Sequence, residues 1–530
     1  MQHIEANGTT QALHESLQKK INGFVSERVH LANVAGLFAV LCAFFCLLVL
    51  PAGQYWNIRL PLYLLVTIWV LLRSCIALYL MPLAVAWGSL DPANLGGLHA
   101  ADILTLLLAT SWLLSFTLRR LTEKIAPGGP LDRESPAISR ALALAIFALL
   151  LAMLLSTVVA TDLLLSVKEL VKWLEVLIIL LLGAQYLHTR RQLWILVVMI
   201  LLATISQALF GYLQAFLDLG PSSFVRDNTL RVYGTFDQPN PYAGYINMGL
   251  GIALGLTLFA ADWKTRILAG GTTIMLAAAE LLSQSKGGWL AIGLACVFLV
   301  TSGMPRLRPL WGMFGLLALC ALALYLAGLI PDHLLIPLLK KAGLTNLSFT
   351  LPRHYNYANS ERLAHWVAGI HMFMDHPLLG VGIGNYATAY PQYAPGIFKL
   401  PLGHAHNYYI NMAAEAGIGG LLSLLYFLLA VFITGGRSLR RINKAWQTLK
   451  EDRARPRQGI TVLMADHSKL RLRRLSNDRA LALGLLAALI TVCAHNFVDN
   501  LYVHSMANLF ALLIVMVVRL ESVTTNVCKR

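Results

Sequence analysis

From residue 33 onward the chain is a succession of apolar runs, most of them close to the ~20 residues a spanning helix needs, separated by short polar segments. The runs lie at 33–52, 60–84, 97–117, 141–161, 165–187, 192–217, 241–260, 267–283, 287–303, 309–330, 414–434, 479–499 and 503–519. They predict an all-α polytopic membrane protein with about twelve to fourteen transmembrane helices, the count being soft where runs abut. Arg73, inside the second run, marks a break or a miscounted helix. The same pattern divides the chain. An N-terminal polar segment (1–32) precedes a first set of membrane helices (33–330). A polar island (331–413), read as a large outward catalytic loop, a further membrane helix (414–435) and a basic cytoplasmic loop (436–478) follow. The last membrane helices (479–520) lead to a tail (521–530). No repeat of fixed period is present, which counts against an inverted-repeat transporter.

Composition agrees with the pattern. Of 530 residues, 57% are hydrophobic and 13% charged. The net charge of +16 does not point to nucleic acid, because the basic residues sit in short runs between apolar spans, as the positive-inside rule produces. Arg190 and Arg191, Lys264 and Arg266, Arg306 and Arg308, and the basic segment 436–478 mark the cytoplasmic side. Alternation then turns 218–240, the turn at 284–287 and the island 331–413 outward. The first thirty residues lack the order of a cleavable signal peptide and read as solvated. The seven cysteines show no CxxC spacing and six lie in apolar spans, so they read as packing residues.

Polar chemistry gathers in three outward places. The first is a Pro- and Gly-punctuated rim, 231–244, which would present Arg231 and Gln238 to a ligand; Asn240 before Pro241 is a plausible N-cap. The second is the turn Ser283–Trp289. Its Lys286 stands on the side that basic residues avoid, and Gly287 and Gly288 let a phosphate approach the backbone at a helix N-terminus. A snorkelling lysine is the alternative. The third is the island. Glu361, Arg362 and Trp366 begin a helical pattern, and His404, His406 and Asn407 close it. Imidazole titrates near neutral pH and suits a general base. His404 and His406 could instead bind metal, but no third ligand stands at matching spacing, so no metal is expected. Glu415 would cap a helix or orient a histidine, and His495, Asn496, Asp499, Asn500 and His504 flank a short outward turn that could line the same cavity. Lys168, Glu169, Lys172 and Glu175 fall inside the run 165–187; they would mark a transport path or pair along one helix face.

At these residues the chain resembles the O-antigen ligase and O-antigen polymerase (Wzy) superfamily of bacterial membrane glycosyltransferases. The resemblance rests on "YGTFDQPNPYAGY", "SQSKGGW", "SERLAHW", "HPLLGVGIGNY" and "HAHNYYINMAAEAGIGG", in that order over roughly 230–435. It implies a GT-C type fold in the bacterial inner membrane, with a large helical periplasmic loop over a lipid-facing cavity. It implies a polyprenyl-pyrophosphate-linked glycan as donor, a glycan or lipid A-core acceptor, and no cofactor. By motif, Arg362 matches the loop arginine and His406 the catalytic histidine. Lys286 stands where the family commonly has arginine, so it keeps the charge without the bidentate fork. The implied catalytic set is His406, Arg362 and Lys286, with Arg231, Gln238, Asn407, His404, Glu415 and Trp366 around the substrates. Ligase-like transfer is the leading reading. A polymerase, a protein O-glycosyltransferase and a polysaccharide transporter follow as alternatives.

Overall fold

The computed structural model describes residues 36–48, 55–90, 99–125, 138–226, 228–326, 336–337, 339–341, 343–353, 356–454 and 462–529. The expected polar segment 1–32 and the middle of the basic segment lie outside the described residues. Among the described residues the chain is all-α apart from one hairpin, in which Val225–Arg226 (β1) pairs antiparallel with Thr229–Leu230 (β2). The helices are α1 (Gly36–Leu48), α2 (Trp56–Leu72), α3 (Cys75–Trp87), α4 (Ala100–Ile125), α5 (Arg140–Ser156), α6 (Leu163–Tyr186), α7 (Arg190–Phe216), α8 (Pro239–Phe259), α9 (Trp263–Ser283), α10 (Lys286–Gly303) and α11 (Arg308–Leu326). Two helices of the polar island follow, α12 (Tyr357–Asp375) and α13 (Tyr386–Tyr393), and then α14 (Tyr408–Ala454), α15 (Val462–His495) and α16 (Met506–Lys529).

Nine of the described helices are long and apolar enough to cross a membrane, fewer than the runs predict. The differences have separate causes. The described part of the first run is the short α1, and the side chains of α11 are described only in part. The run 165–187 forms α6, whose charges keep it out of the nine; Lys172 pairs with Glu169 at 2.6 Å and donates to Tyr502 O at 3.0 Å. The run 60–84 is two helices folded back on each other. Ser74 Oγ at the tip lies 2.7 Å from Ser111 Oγ in the middle of α4, which in turn donates to Leu71 O. Both arms return along the first half of α4: Tyr63 and Thr67 share a small cavity with Ile103, Leu104 and Leu107, and Gly88 abuts Ala100. Arg73 is therefore the tip of a helical hairpin whose two arms fold back along α4.

The centre of the bundle is α8 against α15. Hydrocarbon offers no hydrophobic drive between helices, so small residues that let backbones touch do the packing. Gly251 and Gly255 of α8 face Ala488 and Gly484 of α15 so closely that a Cβ at Gly251 would stand 2.7 Å from Ala488 N. Helix starts are capped by the sequence: Asp162 Oδ1 accepts from Leu165 N, Thr189 and Gln192 form a capping box, and Ser285 Oγ accepts from Gly288 N. Gly417 (φ 63°, ψ −161°) kinks α14, a backbone open in practice only to glycine. The basic segment 436–478, read as a loop, is mostly helix, because α14 and α15 run on past their apolar parts.

Candidate functional site

The site forms at the end of the bundle where α10 starts and α15 ends. The rim at 231–240 reaches it first. Helix α8 begins at Pro239, with Gln238 as N-cap, two residues before the expected start. Asn240 is thereby not a cap, and its amide bridges. Its Oδ1 accepts from Arg231 Nη2 at 3.3 Å and from Ser285 Oγ at 2.9 Å, and its Nδ2 donates to Asp499 Oδ2 at 2.6 Å. One side chain thus ties the rim, the 283–289 turn and the turn after α15.

Arg231 also donates from Nε to Ser283 O at 3.1 Å. It and Lys286 lie within electrostatic reach of each other, of Arg226 on β1 and of Arg362 on α12. Burial, then the Arg226 and Arg362 charges, push the Arg231 guanidinium down to about 10, with Asp499 opposing, so it stays charged at neutral pH. Among the described residues Arg362 makes no hydrogen bond or ion pair with protein. The result is four cations grouped with few anions, an arrangement that repels itself unless an anion joins it. Arg226 was not foreseen: it sits in a short exposed hairpin without a motif.

His406 stands beside this group on a strained backbone (φ 51°). Its Nδ1 lies 3.4 Å from Asp499 Oδ1, its peptide N–H donates to His404 Nδ1 at 3.0 Å, and its carbonyl accepts from Trp366 Nε1 at 3.2 Å. Trp366 therefore braces the His406 backbone. Asp499 is 4% exposed. Burial pushes its carboxyl up, but the His406 ring, His404 and Arg362 outweigh that and hold it well below the usual carboxylate range. The ionised Asp499 carboxylate thus faces the Nδ1 edge of the His406 ring. His404 accepts through Nδ1, and burial first of all lowers its pKa to about 4, against Asp499, so it is neutral and acts as a brace. His365 is fully buried, stacks on Tyr390 with centroids 4.2 Å apart and meets the His406 ring edge-on at 5.5 Å. Its pKa also falls to about 4, chiefly by burial. It lies three residues after Arg362 on α12, a spacing that places both on one helix face.

The remaining expected residues are placed differently. Asn407 caps α14, its Oδ1 accepting from Tyr409 N and Ile410 N at 3.0 and 3.1 Å. Glu415 is buried away from the cations; its Oε1 accepts from Tyr386 N at 3.0 Å at the start of α13. It thus meets an open backbone N–H at a helix start, the capping place that the sequence offers for it. Gln238 is exposed at the rim with no side-chain cap bond. Two groups that the reading passed over support the lysine turn from below: Asn247 Nδ2 donates to Glu280 Oε1 at 3.2 Å and to Gly288 O at 3.0 Å. His495, 1% exposed with both ring nitrogens unpartnered among the described residues, packs against Gly287.

His404, His406 and Asp499 place three donor atoms within 4.8 Å of one another, a spacing that could hold a metal ion. The third ligand that the sequence spacing lacked comes from a turn more than ninety residues away. The neighbouring arginines and lysine oppose a dication there.

Residues 271–438 match the O-antigen ligase family (Wzy_C), a stretch that holds Lys286, Arg362, His365, His404 and His406. No curated protein matches the chain.

Proposed function

We propose, from the O-antigen ligase domain at 271–438 and the cation group beside His406, that this multi-pass membrane protein is a glycosyltransferase of the inner membrane. It would move a glycan from a polyprenyl pyrophosphate to an acceptor hydroxyl at the periplasmic face. The observation that carries the reading is the pairing of His406 with Asp499 next to Arg226, Arg231, Lys286 and Arg362. The acceptor oxygen attacks the anomeric carbon as the bond from that carbon to the pyrophosphate oxygen breaks. The electron pair leaves with the pyrophosphate, whose charge the cations stabilise as it develops; such preorganised stabilisation is often the largest catalytic contribution. His406 Nε2 takes the acceptor proton, worth typically ~10²–10⁴-fold, and Asp499 stabilises the imidazolium. Attack from the face opposite the pyrophosphate inverts the configuration. The cations supply the charge neutralisation that a metal supplies elsewhere, so the reaction is metal-independent.

The acceptor is lipid A-core or another envelope glycan in this reading. The test supplies purified protein with a lipid-linked repeat unit alone and then with lipid A-core. Donor consumed only with the core, and not by Arg362→Ala or His406→Ala protein that is folded, is the expected result. A ladder of longer lipid-linked glycans without any other acceptor would replace the ligase reading by a polymerase one.

A further inference from the structure

A groove of about 810 Å³ opens at the opposite end of the bundle from the site, between α1, the tip of the α2–α3 hairpin and the first half of α7. Its trough is apolar, with Leu41, Trp69, Val198 and Leu202 among its walls; Arg73 and Arg191 line the same groove. The two arginines have different origins. Arg191 belongs to a basic connection between spans, where the positive-inside rule places it. Arg73 does not: it ends a lipid-facing stripe of exposed Leu60, Leu64, Leu65, Ile68 and Leu72 at the tip of a hairpin. The polar groups around the tip are satisfied without it, by Ser74 with Ser111, by Cys75 Sγ donating to Tyr186 O and by Gln192 Nε2 donating to the same carbonyl. Among the described residues its guanidinium makes no hydrogen bond or ion pair with protein. A charge at that depth is expensive unless an anion or the head-group layer meets it.

We propose that this groove holds one anionic phospholipid of the cytoplasmic leaflet. Its phosphate lies between Arg73 and Arg191, and an acyl chain lies along Trp69, Val198 and Leu202. Charge complementarity selects the occupant: basic pockets between membrane helices on the cytoplasmic side take phosphate head groups, and the apolar trough continues from the cations as a chain continues from its head. The bound lipid would fasten α1 and the hairpin tip to α7, independently of any transfer chemistry.

The experiment is native mass spectrometry of the full-length protein in mild detergent, titrated with phosphatidylglycerol or phosphatidylcholine. Wild-type protein should retain one phosphatidylglycerol and not phosphatidylcholine. The Arg73→Gln/Arg191→Gln variant should bind it roughly thirtyfold more weakly, the effect of two interfacial charges. Val198→Trp keeps both arginines and fills the trough, so it should exclude the lipid even if the double variant does not fold. Equal retention of the two lipids by wild-type protein, or unchanged binding by Val198→Trp, would overturn the proposal. Stoichiometric displacement of phosphatidylglycerol by a polyprenyl phosphate would overturn it in favour of an entry site for the donor.

Discussion

His406 and Asp499 face each other across 3.4 Å, Nδ1 to Oδ1, although they stand on opposite sides of α14 and α15 in the chain. In the proposed reaction the carboxylate facing Nδ1 would orient the ring and leave Nε2 toward the acceptor. Asp499→Asn removes the charge and keeps the shape. In the proposed reaction it should lower kcat by about 10²-fold, while His406→Ala should lower it by about 10²–10⁴-fold. The double variant should be no worse than His406→Ala alone. Rates of glycan release from lipid-linked donor in proteoliposomes read all three, and additive losses would break the pair into independent residues.

The same pair, with His404, has donor spacing that suits a metal. Chelation separates the two chemistries. Dialysis against EDTA should leave the transfer rate unchanged, because Arg226, Arg231, Lys286 and Arg362 already provide the positive charge. A loss restored by zinc would make His404, His406 and Asp499 ligands instead.

Two buried histidines should make the polar island acid-sensitive. His365 and His404 have pKa values near 4 in the folded protein against an ordinary 6.5, burial being the main cause in each. Between those values the unfolded chain binds protons that the folded one refuses, so their contribution to stability is full above pH 6.5 and lost as pH falls toward 4. Proteolysis of the segment around α12 and α13 should therefore speed up over that interval. His365→Phe, which keeps a ring against Tyr390, should flatten the response. A profile identical to wild type would remove His365 from the account.

Gly287 sets how closely α10 meets the turn after α15. A Cβ there would stand 2.6 Å from Val498 Cγ2 and 2.9 Å from His495 Nε2. Gly287→Ala should shift the first turn of α10, move Lys286 and raise KM for the donor several-fold, with a smaller effect on kcat. Gly271→Ala on the neighbouring α9 meets nothing within 4 Å and should be silent. Equal behaviour of the two variants would show that the contact at Gly287 does not matter.

What could be read from the sequence follows from range. Spans depend on local composition, and the nine apolar helices were all foreseen as runs. Lys286, Arg362 and His406 were legible because each sits in a short patterned stretch. Asp499 was placed only as a possible cavity-lining residue, Asn240 only as a cap and Arg226 not at all, because their roles come from contacts far apart in the chain, and an amide that bridges looks in sequence like an amide that caps. Glu415 shows the opposite case: it is close to the histidine motif in sequence, yet α14 carries it inward to the start of α13. The α2–α3 hairpin was hidden because two short apolar arms add up to the length of one span, and Arg73 was its only mark.

Asn385 is the fastening between the polar island and the membrane bundle. It is fully buried, and its Oδ1 accepts from Asp162 N at 2.7 Å and Thr161 Oγ1 at 3.0 Å. Its Nδ2 donates to Asp162 O, Ser166 Oγ and Ile383 O at 3.0–3.1 Å. Asn385→Leu fills the same volume and answers none of these groups. Each buried group left unsatisfied costs ~1–3 kcal/mol, so a loss of about 3 kcal/mol is expected even if some partners find water. Asn385→Asp should also destabilise, because a carboxylate in place of the amide donor faces the Asp162 and Ile383 carbonyl oxygens. Thermal unfolding in detergent should rank wild type above both variants. If both unfold at the wild-type temperature while transfer is lost, Asn385 positions the island over the site without contributing to the stability of the whole.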